Sequence, residues 1–252
     1  MKEDLLFYNA YESFYKMAAH SNAFASYCQD AFGADFSQDG FSDLWQVEQI
    51  LKYIPKIEHP HILDIGCGNG KMLQYLQKQT GAFIYGFDYS ENAINFAAQH
   101  TIDSEFRVGI IGEIEYPSQT FDTVISMDSL YFAPDMSRFV GQIRNWLKPE
   151  GVFFAGYEEG DLISRTENAE TTIVAQALRQ NDFTYQWQDI SRQTWAMLNR
   201  KRESLVRHQH AFMEEQLMDW YDMIFEQTAC AACSFEEFNR YHARYIFVAR
   251  KT

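Results

Sequence analysis

The chain has 252 residues, of which 46% are hydrophobic, enough for one large α/β domain with a buried core and an added cap. Its 35 acidic and 21 basic residues give a net charge of -14, which repels phosphate backbones and argues against a nucleic-acid partner. No apolar run approaches the roughly 18 residues of a membrane span, and residues 1–4 place acids where a signal peptide would be basic. We therefore expect a cytoplasmic protein with no membrane partner.

The first 58 residues show apolar side chains at helical spacing. An aromatic-rich helix is predicted around 7–15 and a second helix over 44–54, where Pro55 ends it. No strand pattern interrupts this region, so we expect a helical segment that precedes the main sheet.

Residues 61–158 alternate short apolar runs with helical patterns. This alternation predicts right-handed crossovers and a mainly parallel sheet, with ligands at the carboxyl ends of the strands. Ser90 is placed to cap one helix, and residues 148–151 are expected to turn into the next strand. The predicted strands cover 61–65, 82–88, 105–109, 121–127 and 151–157, and the predicted helices 71–79, 91–100 and 136–147.

The last third of the chain is rich in helical patterns. A crossover helix is predicted over 166–180, a strand over 183–188, a long helical stretch from 191 to about 227, and a final strand over 245–249. A helical segment inserted between two final strands is suited to cap a pocket at the sheet edge.

The four cysteines do not predict a disulfide scaffold. Cys230 and Cys233 have no second ligand pair at zinc spacing, so we expect two small buried residues and no metal site.

A glycine-rich turn follows the first strand, with Asp64 before Gly66, Gly68 and Gly70. Glycines at alternate positions let the backbone turn sharply and approach a ligand closely, because a Cβ would fill that space. A phosphate-binding P-loop is excluded, since the spacing is one residue short and Met72 replaces its hydroxyl residue. A dinucleotide fingerprint fits less well but stays open as an alternative.

Asp88 ends the next strand, at about the interval where a ribose-binding carboxylate is expected. A carboxylate at this place can accept hydrogen bonds from both ribose hydroxyls. Helix capping is the competing interpretation of an acid in this position.

The order of these motifs resembles the class I S-adenosylmethionine-dependent methyltransferases, of the bacterial small-molecule type, over about residues 60–158. The pattern comprises the glycine turn, the strand-terminal Asp88, an acid at Glu113, and the segments 121–127 and 147–151. The family usually has Asp rather than Glu near position 113. The resemblance implies S-adenosylmethionine as the cofactor, with S-adenosylhomocysteine as its product, and cofactor contacts from Asp64, Gly66, Cys67, Gly68, Asp88, Tyr89, Glu113, Ile114 and Met127.

The flanks resemble, more loosely, the segments that close the site in such enzymes. Tyr27 and Gln38 are candidates for further cofactor contacts, while Tyr131, Asp128 and His208 are candidates for catalysis. Each of the tyrosines and Gln38 is equally consistent with packing or a turn, and His208 with a solvated helix face.

The resemblance implies a Rossmann-like α/β fold: a mainly parallel seven-stranded sheet with helices on both faces, an antiparallel last strand and a helical cap. We expect a helical cap segment at 1–58, a cofactor-binding core at 59–190, a cap insertion at 191–240 and a final core strand at 241–252. The expected function is methyl transfer to an oxygen, nitrogen or carbon atom of a small molecule. A nicotinamide-dependent oxidoreductase and a non-catalytic S-adenosylmethionine-binding protein are the alternatives, and the choice between monomer and homodimer is open.

Overall fold

The computed structural model describes residues 5–251. The ends of the predicted first and last segments, including the acidic start at 1–4, lie outside this range. Within it the strands are β1 (His61–Ile65), β2 (Phe83–Asp88), β3 (Ser104–Val108), β4 (Phe121–Met127), β5 (Leu147–Glu159), β6 (Phe183–Asp189) and β7 (Ala243–Lys251). The helices are α1 (Tyr8–Ala18), α2 (Asn22–Phe32), α3 (Leu44–Leu51), α4 (Lys71–Thr80), α5 (Glu91–His100), α6 (Met136–Trp146), α7 (Ile173–Gln180), α8 (Ser191–Glu214), α9 (Met218–Gln227) and α10 (Phe235–Tyr241).

The seven strands form one sheet in the order β3-β2-β1-β4-β5-β7-β6. The pairs among β1 to β5 are parallel, and β7 runs antiparallel to both β5 and β6. Apolar clusters on the two sides of the sheet receive α3 and α4 on one face and α6 and α7 on the other. The predicted fold class is therefore confirmed.

The helices at the two ends of the chain pack together. Buried side chains of α1 and α2, such as Phe14 and Phe24, form one apolar cluster with Leu198 and Phe212 of α8 and with residues of α9 and α10. We call this unit the cap. Its helices cover the carboxyl-end edge of the sheet, where the glycine turn lies.

Several element boundaries differ from the sequence prediction. The structure adds α2, which Ser21 caps by accepting a hydrogen bond from the Phe24 amide. The long helical stretch is divided into α8 and α9, where Gln216 adopts a left-handed φ of 59°. The predicted helix over 166–180 begins only at Ile173, and β5 already includes residues 147–150. Ser90 caps α5 as predicted.

Among residues 5–251, no helix is both long enough and apolar enough to cross a membrane.

Candidate functional site

The glycine turn lies between β1 and α4, where the strand order reverses between β1 and β4. Ligands in such sheets bind outside the carboxyl ends of the strands at this switch point. Gly66 and Gly68 have φ values of +70° and +52°, which side chains with a Cβ rarely adopt. A Cβ on Gly66 would lie 2.7 Å from the Cβ of Ser129, and one on Gly68 would collide with the Tyr15 hydroxyl. Glycine is therefore required for close packing here.

A cavity of about 350 Å³ opens against this turn, and we call it the turn cavity. Its walls come from the ends of β1, β2 and β4, from α1, and from the loop over 33–43. Ten of the predicted site residues line it, namely Gln38, Asp64, Gly66, Cys67, Gly68, Asp88, Tyr89, Met127, Asp128 and Tyr131.

Asp88 lies at the centre of the hydrogen bonding in the turn cavity. Its Oδ2 accepts from the Gly68 amide at 3.0 Å, and its Oδ1 accepts from the Ser90 amide at 2.9 Å. Each oxygen has a second lone pair for another donor. Burial raises the pKa of Asp88 from 3.8 to about 6, against the lowering effect of the amides. Near neutral pH the side chain is therefore an ionised, oriented acceptor that faces the cavity.

Asp64 is buried at the end of β1, and its Oδ1 has no hydrogen-bond partner among residues 5–251. Burial, with the nearby charge of Asp88, raises the pKa of this carboxyl well above its usual value. An unpaired buried carboxylate oxygen is costly unless a ligand donor satisfies it. A positively charged group bound in the turn cavity would supply that donor.

Helix α1 closes one side of the turn cavity. The Tyr8 ring packs edge-on against Tyr89, with centroids 5.6 Å apart, and the Tyr89 hydroxyl donates to the Leu6 carbonyl. The Asn92 side chain also donates to the Glu12 carboxylate at 2.7 Å. These contacts hold α1 against the corner between β2 and α5, directly beside Asp88.

The loop over 33–43 closes the other side. Asn69 of the glycine turn donates to the Ser37 carbonyl at 3.0 Å, and Lys71 pairs with Asp35 at 2.7 Å. This loop also contacts Asp128, which accepts from the Phe41 amide.

Asp128 has a left-handed φ of 60° after β4 and is joined to the last strand. Its carboxylate accepts from both terminal nitrogens of Arg244, whose side chain is fully buried in β7. The Ser42 and Tyr131 hydroxyls also donate to Asp128. Because all these donors engage it, Asp128 holds the site together, and its carboxylate is not available as a general base. Burial and the adjacent Asp128 raise the pKa of Tyr131, so Tyr131 stays a neutral donor.

A second cavity of about 480 Å³ adjoins the first, between the cap and the edge of the sheet, and we call it the cap cavity. It shares Tyr11, Asp39, Asp128 and Tyr131 with the turn cavity, so the two spaces meet beside the end of β4. Aromatic and aliphatic side chains of α1, α8 and α9 form most of its inner wall. The site thus has two adjoining compartments with different linings.

A methyltransferase domain family matches residues 58–230, which is more than half of the chain. The chain belongs to this methyltransferase domain family. Methyltransferases of this family use S-adenosylmethionine, so the expected family and cofactor are confirmed at that level.

Among curated relatives, the mitochondrial arginine-hydroxylase NDUFAF5 of Rattus norvegicus is 37% identical over 109 residues, covering 42% of this chain and 31% of that protein. The chain therefore spans less than a third of that relative. Phosphoethanolamine N-methyltransferase 2 of Haemonchus contortus, solved with phosphomonomethylethanolamine and S-adenosylhomocysteine, has a TM-score of 0.76 at 17% identity, covering 98% of this chain and 60% of that one. The cyclopropane synthase MmaA2 of Mycobacterium tuberculosis has a TM-score of 0.71 at 17% identity, covering 96% and 98%. At these identities the two structures show the shared fold.

The turn cavity of this methyltransferase domain fits its family's cofactor. The unpaired Asp64 oxygen suits an ammonium group, and the lone pairs left on Asp88 suit two hydroxyls. Burial raises the pKa of the Cys67 thiol, so Cys67 contributes a neutral, apolar wall.

Four of the predicted site residues do not line the turn cavity, and two of them follow β3. Glu113 is exposed, and Ile114 packs against the core beneath Gly109. The positions that line the cavity after β3 are Ile110 and Ile111. The predicted positions lie three residues too far along the chain, because β3 ends at Val108 and the chain turns away from the cavity before Glu113.

The helical cap holds the other two residues that the structure places elsewhere. Tyr27 is buried in α2 against Phe24 and Phe212, and it lines neither cavity. His208 faces Asp30 of α2, with its Nε2 3.6 Å from Oδ2, in a separate surface depression. It lies two turns beyond Lys201 on α8, about 10 Å along the axis. These side chains therefore contact neither compartment.

The sequence interpretation missed several residues of the site. Arg244 directly precedes the apolar run at 245–249 of the final strand, a pattern that indicates a buried ion pair. Tyr11 and Tyr15 were placed on a helix but not assigned to the site, although both line the turn cavity. His242 and Lys201 line the cap cavity, and no local motif identifies either of them.

Proposed function

We propose that this chain is an S-adenosylmethionine-dependent methyltransferase that binds the cofactor in the turn cavity and a small-molecule acceptor in the cap cavity. The observation that carries the proposal is the junction of the two cavities at Tyr11, Asp39, Asp128 and Tyr131. A methyl donor on one side and a nucleophile on the other would meet there.

When bound, S-adenosylmethionine supplies an electrophilic methyl group on a sulfonium. The chain's own contribution is to align the acceptor with that group and to exclude water. In this proposal Asp88 accepts hydrogen bonds from the ribose hydroxyls, Asp64 accepts from the ammonium group, and Met127 lies against the cofactor. Tyr131 borders both compartments, held by Asp128, and presents a neutral hydroxyl at the junction.

A proton acceptor is needed when the nucleophile is a hydroxyl, and we assign that role to His242. Its Nδ1 lies 3.4 Å from the Glu158 carboxylate, which orients the ring, and both side chains line the cap cavity. Within residues 5–251 its Nε2 makes no hydrogen bond. His242→Asn should lower the rate of O-methylation by about 10²–10⁴ and leave cofactor affinity unchanged.

The acceptor we propose is a small molecule in the cytoplasm rather than a nucleic acid. The net charge of -14 supports this choice. The attacking atom is oxygen, nitrogen or carbon, and a homodimer is one possible assembly.

The test combines a binding assay with a turnover assay. Calorimetry should detect S-adenosylhomocysteine binding and no NAD(H) binding, which distinguishes this proposal from the oxidoreductase alternative. A panel of amines, phenols and carboxylates should then yield S-adenosylhomocysteine from S-adenosylmethionine with at least one acceptor. Binding without turnover across the panel would favour the non-catalytic alternative, and no binding would refute the proposal.

A further inference from the structure

Among the residues that the structure describes, Lys201 is the only lysine in the lining of the cap cavity. The residue is 3% exposed, although long cationic side chains normally keep their ammonium group in water. Among residues 5–251, no carboxylate or hydrogen-bond acceptor pairs with its Nζ. Its close neighbours are the rings of Phe32 and Phe41, with centroids 5.6 and 5.9 Å from Nζ.

The carboxylates of the same cavity do not neutralise Lys201 by direct contact. Asp128 is engaged by Arg244, and Glu158 by His242. Asp39 accepts a hydrogen bond from the Gln227 side chain at 3.1 Å. Two further carboxylates of the cavity, at positions 161 and 226, belong to exposed residues at its rim.

Cation–π contacts compensate a buried ammonium only partly, and an unpaired buried charge is costly. A ligand anion would complete its coordination. We infer that Lys201 binds an anionic group, a carboxylate or a phosphate, of a largely apolar methyl acceptor.

The rest of the cavity supports this acceptor class. Phe14, Leu198, Trp220 and Met223 give it an apolar wall for the body of the molecule. Lys201 then fixes one end of that body, so that the opposite end reaches the junction with the turn cavity. The inference rests on the proposed function, in which the cap cavity holds the acceptor.

The experiment uses a pair of fluorescent probes that differ in charge. The anionic probe is 8-anilinonaphthalene-1-sulfonate and the neutral one is N-phenyl-1-naphthylamine, both measured with saturating S-adenosylhomocysteine to fill the turn cavity. Lys201→Met should weaken binding of the anionic probe about tenfold to a hundredfold, the range expected for a charged hydrogen bond, and should leave the neutral probe unchanged. Lys201→Arg should retain most of the affinity.

The control is Lys78→Met, which removes an exposed lysine on α4 and should change neither affinity. Displacement of the anionic probe by decanoate, decyl phosphate and decanol then separates the two head groups, and decanol should compete most weakly. Equal losses for both probes in Lys201→Met, or no loss for either, would overturn the inference.

A crystal structure of the unmutated protein with the anionic probe decides the matter if Lys201→Met does not fold. The sulfonate should lie within hydrogen-bond distance of Nζ, and a sulfonate placed elsewhere would refute the role of Lys201. Failure of the proposed function is distinguishable, because it would appear as absent S-adenosylhomocysteine binding in the unmutated protein.

Discussion

Asp88→Asn should favour the folded, ligand-free protein more at neutral pH than at acid pH, while weakening its binding of S-adenosylhomocysteine. The buried carboxylate is ionised near neutral pH at a cost that its two backbone hydrogen bonds do not fully offset. Asparagine has nearly the same shape and no charge, so it removes that cost. Its amide nitrogen cannot accept a hydrogen bond, so one of the two backbone amides loses its acceptor, at a cost of about 1–3 kcal/mol that does not change with pH. It also removes the charged acceptor that the ribose hydroxyls would use.

The size of the effect follows from the pKa. Burial raises the pKa of Asp88 from 3.8 to about 6, and each unit corresponds to about 1.4 kcal/mol. Above pH 6 both the folded and unfolded states carry the charge, so the full penalty of about 3 kcal/mol is present. As the pH falls from 6 towards 3.8, the folded state takes up a proton before the unfolded state, and the penalty declines to about 0.5 kcal/mol at pH 4.

Urea unfolding of both proteins at pH 7.5 and pH 4 measures this difference. The free energy of unfolding of Asp88→Asn, relative to the unmutated protein, should be about 2.5 kcal/mol higher at pH 7.5 than at pH 4, while calorimetry at pH 7.5 should show about tenfold to hundredfold weaker S-adenosylhomocysteine binding. Asp222→Asn, at an exposed position of α9, is the matched control and should change neither quantity. A stability difference between the two proteins that is the same at both pH values would refute the electrostatic reasoning.

Three other perturbations test the site. Arg244→Met should lower the free energy of unfolding by about 3–5 kcal/mol, because it leaves Asp128 buried without its ion partner. Adding Asp128→Asn to this variant should recover part of the loss. An unchanged urea midpoint in the single variant would contradict this expectation. Gly68→Ala should weaken S-adenosylhomocysteine binding at least about tenfold, because the new Cβ meets the Tyr15 hydroxyl, and native affinity in calorimetry would count against it. Hydrogen exchange of α1 should slow when S-adenosylhomocysteine binds, whereas equal protection of α1 and the central strands without ligand would exclude its action as a lid.

The sheet and the glycine turn were predictable because their determinants are local. Asp64, Gly66 and Gly68 follow one another on a strand and its turn, and Asp88 ends the next strand, so parallel topology alone brings them to one edge.

The cap was harder to predict because helical spacing shows that a residue faces the interior but not which neighbour it meets. Tyr15 and Tyr27 are both aromatic residues of N-terminal helices that pack in the same apolar cluster, yet only Tyr15 reaches the turn cavity. Lys201 lies within a charged stretch of sequence, which ordinarily indicates a solvated face. Its burial depends on how α8 packs against α2 and the 33–43 loop, and no local pattern shows that contact.

The ion pair between Asp128 and Arg244 affects how the protein folds during its synthesis on the ribosome. Arg244 is 116 residues from Asp128 and 202 residues from Ser42, whose hydroxyl also accepts a hydrogen bond from it. During synthesis, the glycine turn and Asp88 are complete long before the strand that carries Arg244 emerges. A nascent chain therefore holds Asp128 without its counter-charge until the final strand pairs with β5. We expect the pairing of β7 with β5 to set the moment at which both compartments close, so that a chain truncated before β7 keeps its central strands but has no organised junction between its cavities.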